Sequence, residues 1–183
     1  MRDAVLMDGE AVGRALGKLG QAVGRRFQSV ESLGLIGIRA RGDVLARRLA
    51  NGLQRHRGKI PVGALDISVY RDDFDALREE IRVRGSEIDF DVRGRHILLV
   101  DDVLFTGRSV RAAMDAVVAL GRPASIALAV LVDRGHREMP IQADFVGRAV
   151  KTAHDEQVQV QLREVDGVDR VVLRRAADRG RSA

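Results

Sequence analysis

The chain has 183 residues, enough for one domain with a sizeable core and short for two. Apolar residues make up 45% and charged residues 31%, which fits a globular protein rather than a disordered one, and no apolar run approaches the roughly 18 residues a membrane span needs. The formal charge is +5 with nearly all basic residues arginine, and the absence of cysteine excludes disulfides and thiolate metal sites and fits a reducing cytoplasm. Such a charge suits an anionic partner, nucleic acid or a phosphorylated small molecule; a merely solvated arginine-rich surface is the alternative that composition leaves open. With one tyrosine, five phenylalanines and no tryptophan, a base-stacking platform for single strands is not expected. Met1-Arg2-Asp3 leads into no signal-peptide stretch.

In chain order, Val12, Leu16, Leu19, Val23 and Phe27 recur at helical spacing and predict a helix over 8–28, with Asp8 as N-cap and Glu10 in the first turn. Glycines at 9, 13, 17, 20 and 24 place several on one face, open to close approach by another backbone. Residues 33–39 read as a short buried strand. The loop 39–42 leads into a second helix carrying Val44, Leu45, Leu49 and Leu53 and ending in the basic run 55–59. Another strand lies within 61–70. Residues 71–95 are charged and poorly periodic, a long excursion with an extended piece near 88–90. Residues 96–101 form an apolar strand ending in acid. Residues 108–120 form a helix with Val110, Met114, Val117 and Val118 inward and Gly121 as its stop. Strands follow at 125–133, 143–147, 157–162 and 170–173; the third alternates and reads as half-exposed. We expect one domain over 1–175 and a disordered tail over 176–183. Strands alternating with helices predict an α/β fold, a mostly parallel sheet flanked by helices, with chemistry at the carboxyl ends of the strands.

The segment Ile97-Leu98-Leu99-Val100-Asp101-Asp102-Val103-Leu104-Phe105-Thr106-Gly107-Arg108-Ser109 carries the chemical signal. An apolar strand delivers two carboxylates, and a Thr-Gly turn opens a helix whose first N–H groups are unpaired and carry positive potential. A phosphate monoester fits there, with Gly107 allowing close approach and the hydroxyls of Thr106 and Ser109 donating. Asp101 and Asp102 can accept hydrogen bonds from two vicinal ribose hydroxyls. The plain alternative is a strand–turn–helix with an acidic cap; the full string is too specific for that.

The string VDDVLFTGRS resembles the phosphoribosyl-pyrophosphate loop of type I phosphoribosyltransferases, and ALDISVYRDDF (64–74), GRPASIALAVLVDRGHREMPI (121–141) and ADFVG (143–147) resemble the PyrR family from about residue 5 to residue 173. That family pairs uracil phosphoribosyltransferase activity with binding to leader mRNA of pyrimidine operons. The resemblance implies a cytoplasmic enzyme, a homodimer or larger homo-oligomer, that takes phosphoribosyl pyrophosphate with Mg²⁺, uracil or UMP, and an mRNA leader, with no membrane partner. It assigns the ribose to Asp101 and Asp102, with Mg²⁺ carried by the substrate near them. The 5′-phosphate goes to Thr106, Gly107, Arg108 and Ser109, and pyrophosphate to Arg39, Ala40, Arg41 and Gly42. Ala40 stands where the family usually has Thr. A lid begins at Arg71, Asp72 and Asp73. Phe105, Arg134 and Val158 border the base. Purine enzymes often carry Asp where Phe105 stands, so an aromatic residue implies a pyrimidine. His136 reads as an exposed structural histidine rather than a general base.

The RNA candidates implied are Lys18, His136, Arg137 and Arg148. At the family's Thr-Arg-x-x-His this chain has Gly17, Lys18 and Gln21, and residues 148–153 depart from the usual Lys-Asn-Ile/Val-Pro-Thr-Ser. Two rival functions remain: a nucleotide-sensing regulator with little turnover, and a phosphoribosyltransferase for another base without an RNA role.

Overall fold

The computed structural model describes residues 3–67 and 86–175. Five parallel strands form the central sheet, in the order β3 (Val62–Leu65), β2 (Leu33–Ile38), β4 (His96–Leu104), β5 (Ser125–Asp133) and β6 (Phe145–Ala149). Neighbouring residues in β2 and β4 serve opposite faces, as the period of two requires. Leu33, Leu35, Leu98 and Val100 pack toward helices α1 (Gly9–Arg26) and α2 (Gly42–Arg57). Ile36, Ile38, Ile97 and Leu99 pack toward α3 (Arg108–Leu120). Burial on both faces explains the continuous apolar runs of these strands.

A second, antiparallel sheet of β1 (Ala4–Met7), β8 (Arg170–Arg174) and β7 (Gln157–Gln161) joins the chain's two described ends. We call it the hood; it carries the four-residue helix α4 (Arg163–Asp166) between β7 and β8. Its inward residues Val158, Val160, Val171 and Leu173 merge with the α1–α2 core. Burial in β7 alternates as its sequence does.

The α/β class and parallel sheet match the sequence-based expectation, with four corrections. β4 continues through Leu104, so the acidic pair lies inside the strand and not beyond it. The sixth strand begins at Phe145 rather than Ala143. Val118 is exposed on α3, where Ala112, Ala113 and Ala116 supply the buried face with Val110 and Val117. The extended piece near 88–90 reduces to one antiparallel bridge between Glu87 and Ala64. Asp8 caps α1 as expected, its carboxylate accepting from Ala11 N at 2.8 Å. The lid residues Arg71, Asp72 and Asp73 and the tail 176–183 lie outside the described residues.

Candidate active site

Asp101 and Asp102 sit at the carboxyl end of the central strand β4. Asp101 accepts the amide of Asp102 at 2.9 Å, and Asp102 accepts that of Val103 at 2.8 Å. Across the pair the facing pattern changes phase: Val103 packs with the α1–α2 core and Leu104 with the α3 core, the reverse of the parity earlier in the strand. Asp101 is only 7% exposed, not solvent-facing as a strand-end acid would be. Burial, then the neighbouring Asp102 charge, holds its carboxyl well above the usual range. Burial also raises Asp102, opposed by the Val103 amide and the charge of Arg41. Two adjacent carboxylates under such pressure suit a ligand that brings hydroxyl donors or a cation.

A cavity of about 240 Å³ opens beside them, bounded by Arg39, Asp66, Ile67, Asp101, Asp102 and Ser109 among others. Asp66 and Ile67 were not singled out in the sequence; they are the last described residues before the excursion. Gly107 has a φ of 93° and, having no side chain, leaves the first amides of α3 uncapped at the N-cap position. Thr106 Oγ1 makes a long contact, 3.4 Å, with Arg108 N. The Arg108 side chain is exposed and paired with Glu138 at 2.7 Å.

The loop 39–42 lies against the same strand end. A Cβ on Gly42 would stand 2.3 Å from the Val100 carbonyl oxygen, so only glycine lets α2 start there. The Arg39–Ala40 peptide is cis. Arg39 lines the cavity and pairs with Glu87 at 2.8 Å, while its buried Nε has no hydrogen-bond partner among the described residues. Arg41 turns to the hood instead, donating to both carboxylate oxygens of Asp166 at 2.7 and 3.0 Å.

Past the Thr-Gly turn, the Arg134 guanidinium lies 4.1 Å from the Phe105 ring centroid. It donates to Thr152 Oγ1 and the Ala153 carbonyl, is almost fully buried, and burial lowers its affinity for the proton. The rings of His136 and His154 stand 5.8 and 5.5 Å from Phe105 and 5.5 Å from each other. His136 Nε2 lies 2.8 Å from the Thr152 carbonyl, so that nitrogen donates and cannot serve as a base in this tautomer. His136 is thus half-buried and structural, not exposed. His154 escaped the sequence reading because nothing in its local pattern links it to a ring 49 positions earlier. Val158 sits in the core on β7, beside Val160.

The phosphoribosyl transferase domain model matches residues 14–162. The chain is 49% identical over 173 residues, 94% of its length and 95% of the relative's, to the Bifunctional protein PyrR of Chloroflexus aurantiacus. It is 50% identical over 171 residues to that of Thermus aquaticus, covering 93% and 94% of the two chains. The chain belongs to the PyrR family. Solved structures share the fold at lower identity. The hypoxanthine phosphoribosyltransferase of Trypanosoma cruzi gives a TM-score of 0.71 at 17% identity, covering 94% and 97% of the chains. That of Staphylococcus aureus gives 0.69 at 17%, covering 96% and 93%. The chain is therefore a phosphoribosyltransferase of the PyrR family.

Of the residues that the PyrR resemblance implies for RNA, Lys18 stands on an exposed face of α1, one turn from the exposed Gln21. Arg137 is committed to its own loop, pairing with Asp133 at 2.6 Å and donating to the carbonyls of Phe105 and Ile141. His136 belongs to the ring cluster, and Arg148 donates to the Leu6 carbonyl of β1. The glycine face of α1 borders a groove of about 780 Å³ shared with Leu49, Gly52 and Leu53 of α2. Among the described residues, no helix is long and apolar enough to cross a membrane.

Proposed function

We propose that this chain transfers the phosphoribosyl group of phosphoribosyl pyrophosphate to uracil, giving UMP and pyrophosphate, and binds RNA with little sequence selectivity. The observation that carries the uracil reading is Phe105. At the position where purine enzymes of this superfamily often place an Asp, this chain has a ring covered by Arg134 and flanked by His136 and His154. That site offers aromatic surface and positive charge, suited to a flat base rich in carbonyl oxygens.

In this reading, Asp101 and Asp102 accept from the ribose 2′- and 3′-hydroxyls and fix the ring. The amides at the start of α3, with the Thr106 and Ser109 hydroxyls and Gly107, take the 5′-phosphate, and Arg108 stands beside it. Arg39, the backbone at Ala40 and Arg41, and Gly42 receive pyrophosphate. The uracil N1 lone pair forms the new bond to the anomeric carbon as the carbon–oxygen bond to pyrophosphate breaks, and the N1 proton leaves to solvent. The chain's contribution is alignment and charge stabilisation of a cationic ribosyl centre. Asp101 and Asp102 are hard oxygen donors, the type Mg²⁺ prefers, and two carboxylates leave most of its shell to substrate oxygens and water. Mg²⁺ would supply charge neutralisation on the departing pyrophosphate.

For RNA, the internal hydrogen bonds of His136, Arg137 and Arg148 withdraw them from base-edge readout and leave the exposed Lys18 for phosphate contact. Binding should fall steeply with salt and discriminate poorly between a pyrimidine-leader hairpin and a scrambled one. Turnover with uracil, hypoxanthine and guanine, each with phosphoribosyl pyrophosphate and Mg²⁺, tests the enzyme. UMP formation with no purine nucleotide is expected; purine turnover equal to that of uracil contradicts the assignment.

A further inference from the structure

We propose that Asp166, on the hood helix α4, is a positioning residue for pyrophosphate recognition: it holds Arg41 as a strut and leaves Arg39 as the gripping cation of the loop. The inference rests on the reading of residues 39–42 as the pyrophosphate site, and divides the labour within it.

The two arginines of the loop have opposite fates. Arg41 meets Asp166 in a bidentate pair at 2.7 and 3.0 Å, with side chains only 24% and 15% exposed. The same carboxylate accepts Leu162 N at 2.8 Å, which ties it to the end of β7. A planar fork matched to a carboxylate is held in direction as well as charge, and a lysine cannot reproduce it. Arg41 is also the residue before α2, and its carbonyl accepts Leu45 N at 3.0 Å. Fixing its side chain therefore fixes the first turn of α2 and the loop that precedes it. Gly42 presses that loop onto the Val100 carbonyl from the other side. The loop backbone is thus clamped between β4 and the hood.

Arg39 is differently placed. It lines the cavity beside Asp101 and Asp102, and its buried Nε lacks an acceptor among the described residues. Among the described residues its ion pair is with Glu87, a side chain 68% exposed, a contact that water and salt weaken. An incoming polyanion meets a half-exposed guanidinium there, held by a weak competitor. Two helical turns after Arg41, Arg48 is clasped by Glu164 and Asp169, so the hood is registered on α2 at a second point. Arg41 and Asp166 raise and lower each other's proton affinity in the sense of a committed pair.

The test compares two ligands that share ribose and 5′-phosphate, only one of which carries pyrophosphate. Calorimetric titration gives the affinity of each variant for phosphoribosyl pyrophosphate with Mg²⁺ and for UMP. Asp166→Asn should weaken phosphoribosyl pyrophosphate about tenfold or more and leave UMP within about twofold. Arg41→Lys, which keeps the charge and loses the fork, should give the same selective loss. The double variant should be no worse than either single one, because the two residues act as one unit. Arg39→Gln should also lose phosphoribosyl pyrophosphate selectively, and its effect should add to that of Asp166→Asn. Equal weakening of both ligands by Asp166→Asn would reduce Asp166 to a general structural role and overturn the proposal. Tighter or unchanged binding of phosphoribosyl pyrophosphate, in Asp166→Asn or in a folded Arg41→Lys, would overturn it as well. If Arg39→Gln leaves both ligands unaffected, the pyrophosphate reading of the loop fails first, independently of the strut.

Discussion

Asp101 is a buried acid whose carboxyl is pushed up by desolvation and by Asp102. Its raised folded-state pKa means that ionisation opposes folding: the penalty is present above that pKa and is relieved as pH falls through it. Asp101→Asn should therefore raise the melting temperature of the ligand-free protein at neutral pH, by about 2–4 °C for each kcal/mol relieved, while abolishing phosphoribosyl-pyrophosphate binding. Differential scanning calorimetry beside titration reads both; a lower melting temperature would show that the ionised acid stabilises the strand end. The place of these two acids beside a cavity was legible in the sequence, because the apolar run, the acidic pair and the Thr-Gly turn are contiguous. Their burial was not, since the sequence marks Asp as a strand terminator while β4 runs three residues past Asp101. The partners of Arg41 and Phe105 were illegible for a different reason. Asp166 and His154 are distant in sequence, and no local spacing links them.

Helices and buried strands followed from periodicity, and so did two of the hood's strands, β7 and β8, but β1, α4 and the hood's assembly did not. β1 and α4 have four residues each, too few for a pattern to show, and β1 takes its place only by pairing with β8 at the far end of the chain. The glycines of α1 had suggested close packing, yet a Cβ at Gly13, Gly17 or Gly20 meets nothing within 4 Å. Gly17→Ala should therefore stabilise the isolated chain by up to about 1 kcal/mol through helix propensity alone, read as a higher urea midpoint with an unchanged slope. A loss of stability would mean that something closely fills that face. The α2–α4 contact has its own pH signature. Arg41 and Arg48 hold Asp166, Glu164 and Asp169 below their ordinary values, so their contribution is present above the usual carboxylate range and is lost as pH falls through the depressed values. Acid should loosen the hood first, seen as faster amide exchange in β7 and β8 than in β4 below about pH 4; uniform loss of protection would contradict that order.

At the scale of the molecule, the cavity is lined by the carboxyl ends of β2 and β4, by Asp66 and Ile67, and by Ser109 of α3, while the hood braces the neighbouring loop 39–42 through the Arg41–Asp166 pair. A ligand bound there couples elements that are far apart in sequence. Phosphoribosyl pyrophosphate at about a hundred times its Kd should stabilise the whole fold by about 2.7 kcal/mol. The most direct test of the central claim, that this chemistry sits on Asp101 and Asp102, is calorimetric titration of the double variant Asp101→Asn/Asp102→Asn with phosphoribosyl pyrophosphate and Mg²⁺. A folded double variant with no measurable binding, against saturable binding by the native chain, is the predicted result; undiminished affinity in the double variant would contradict it.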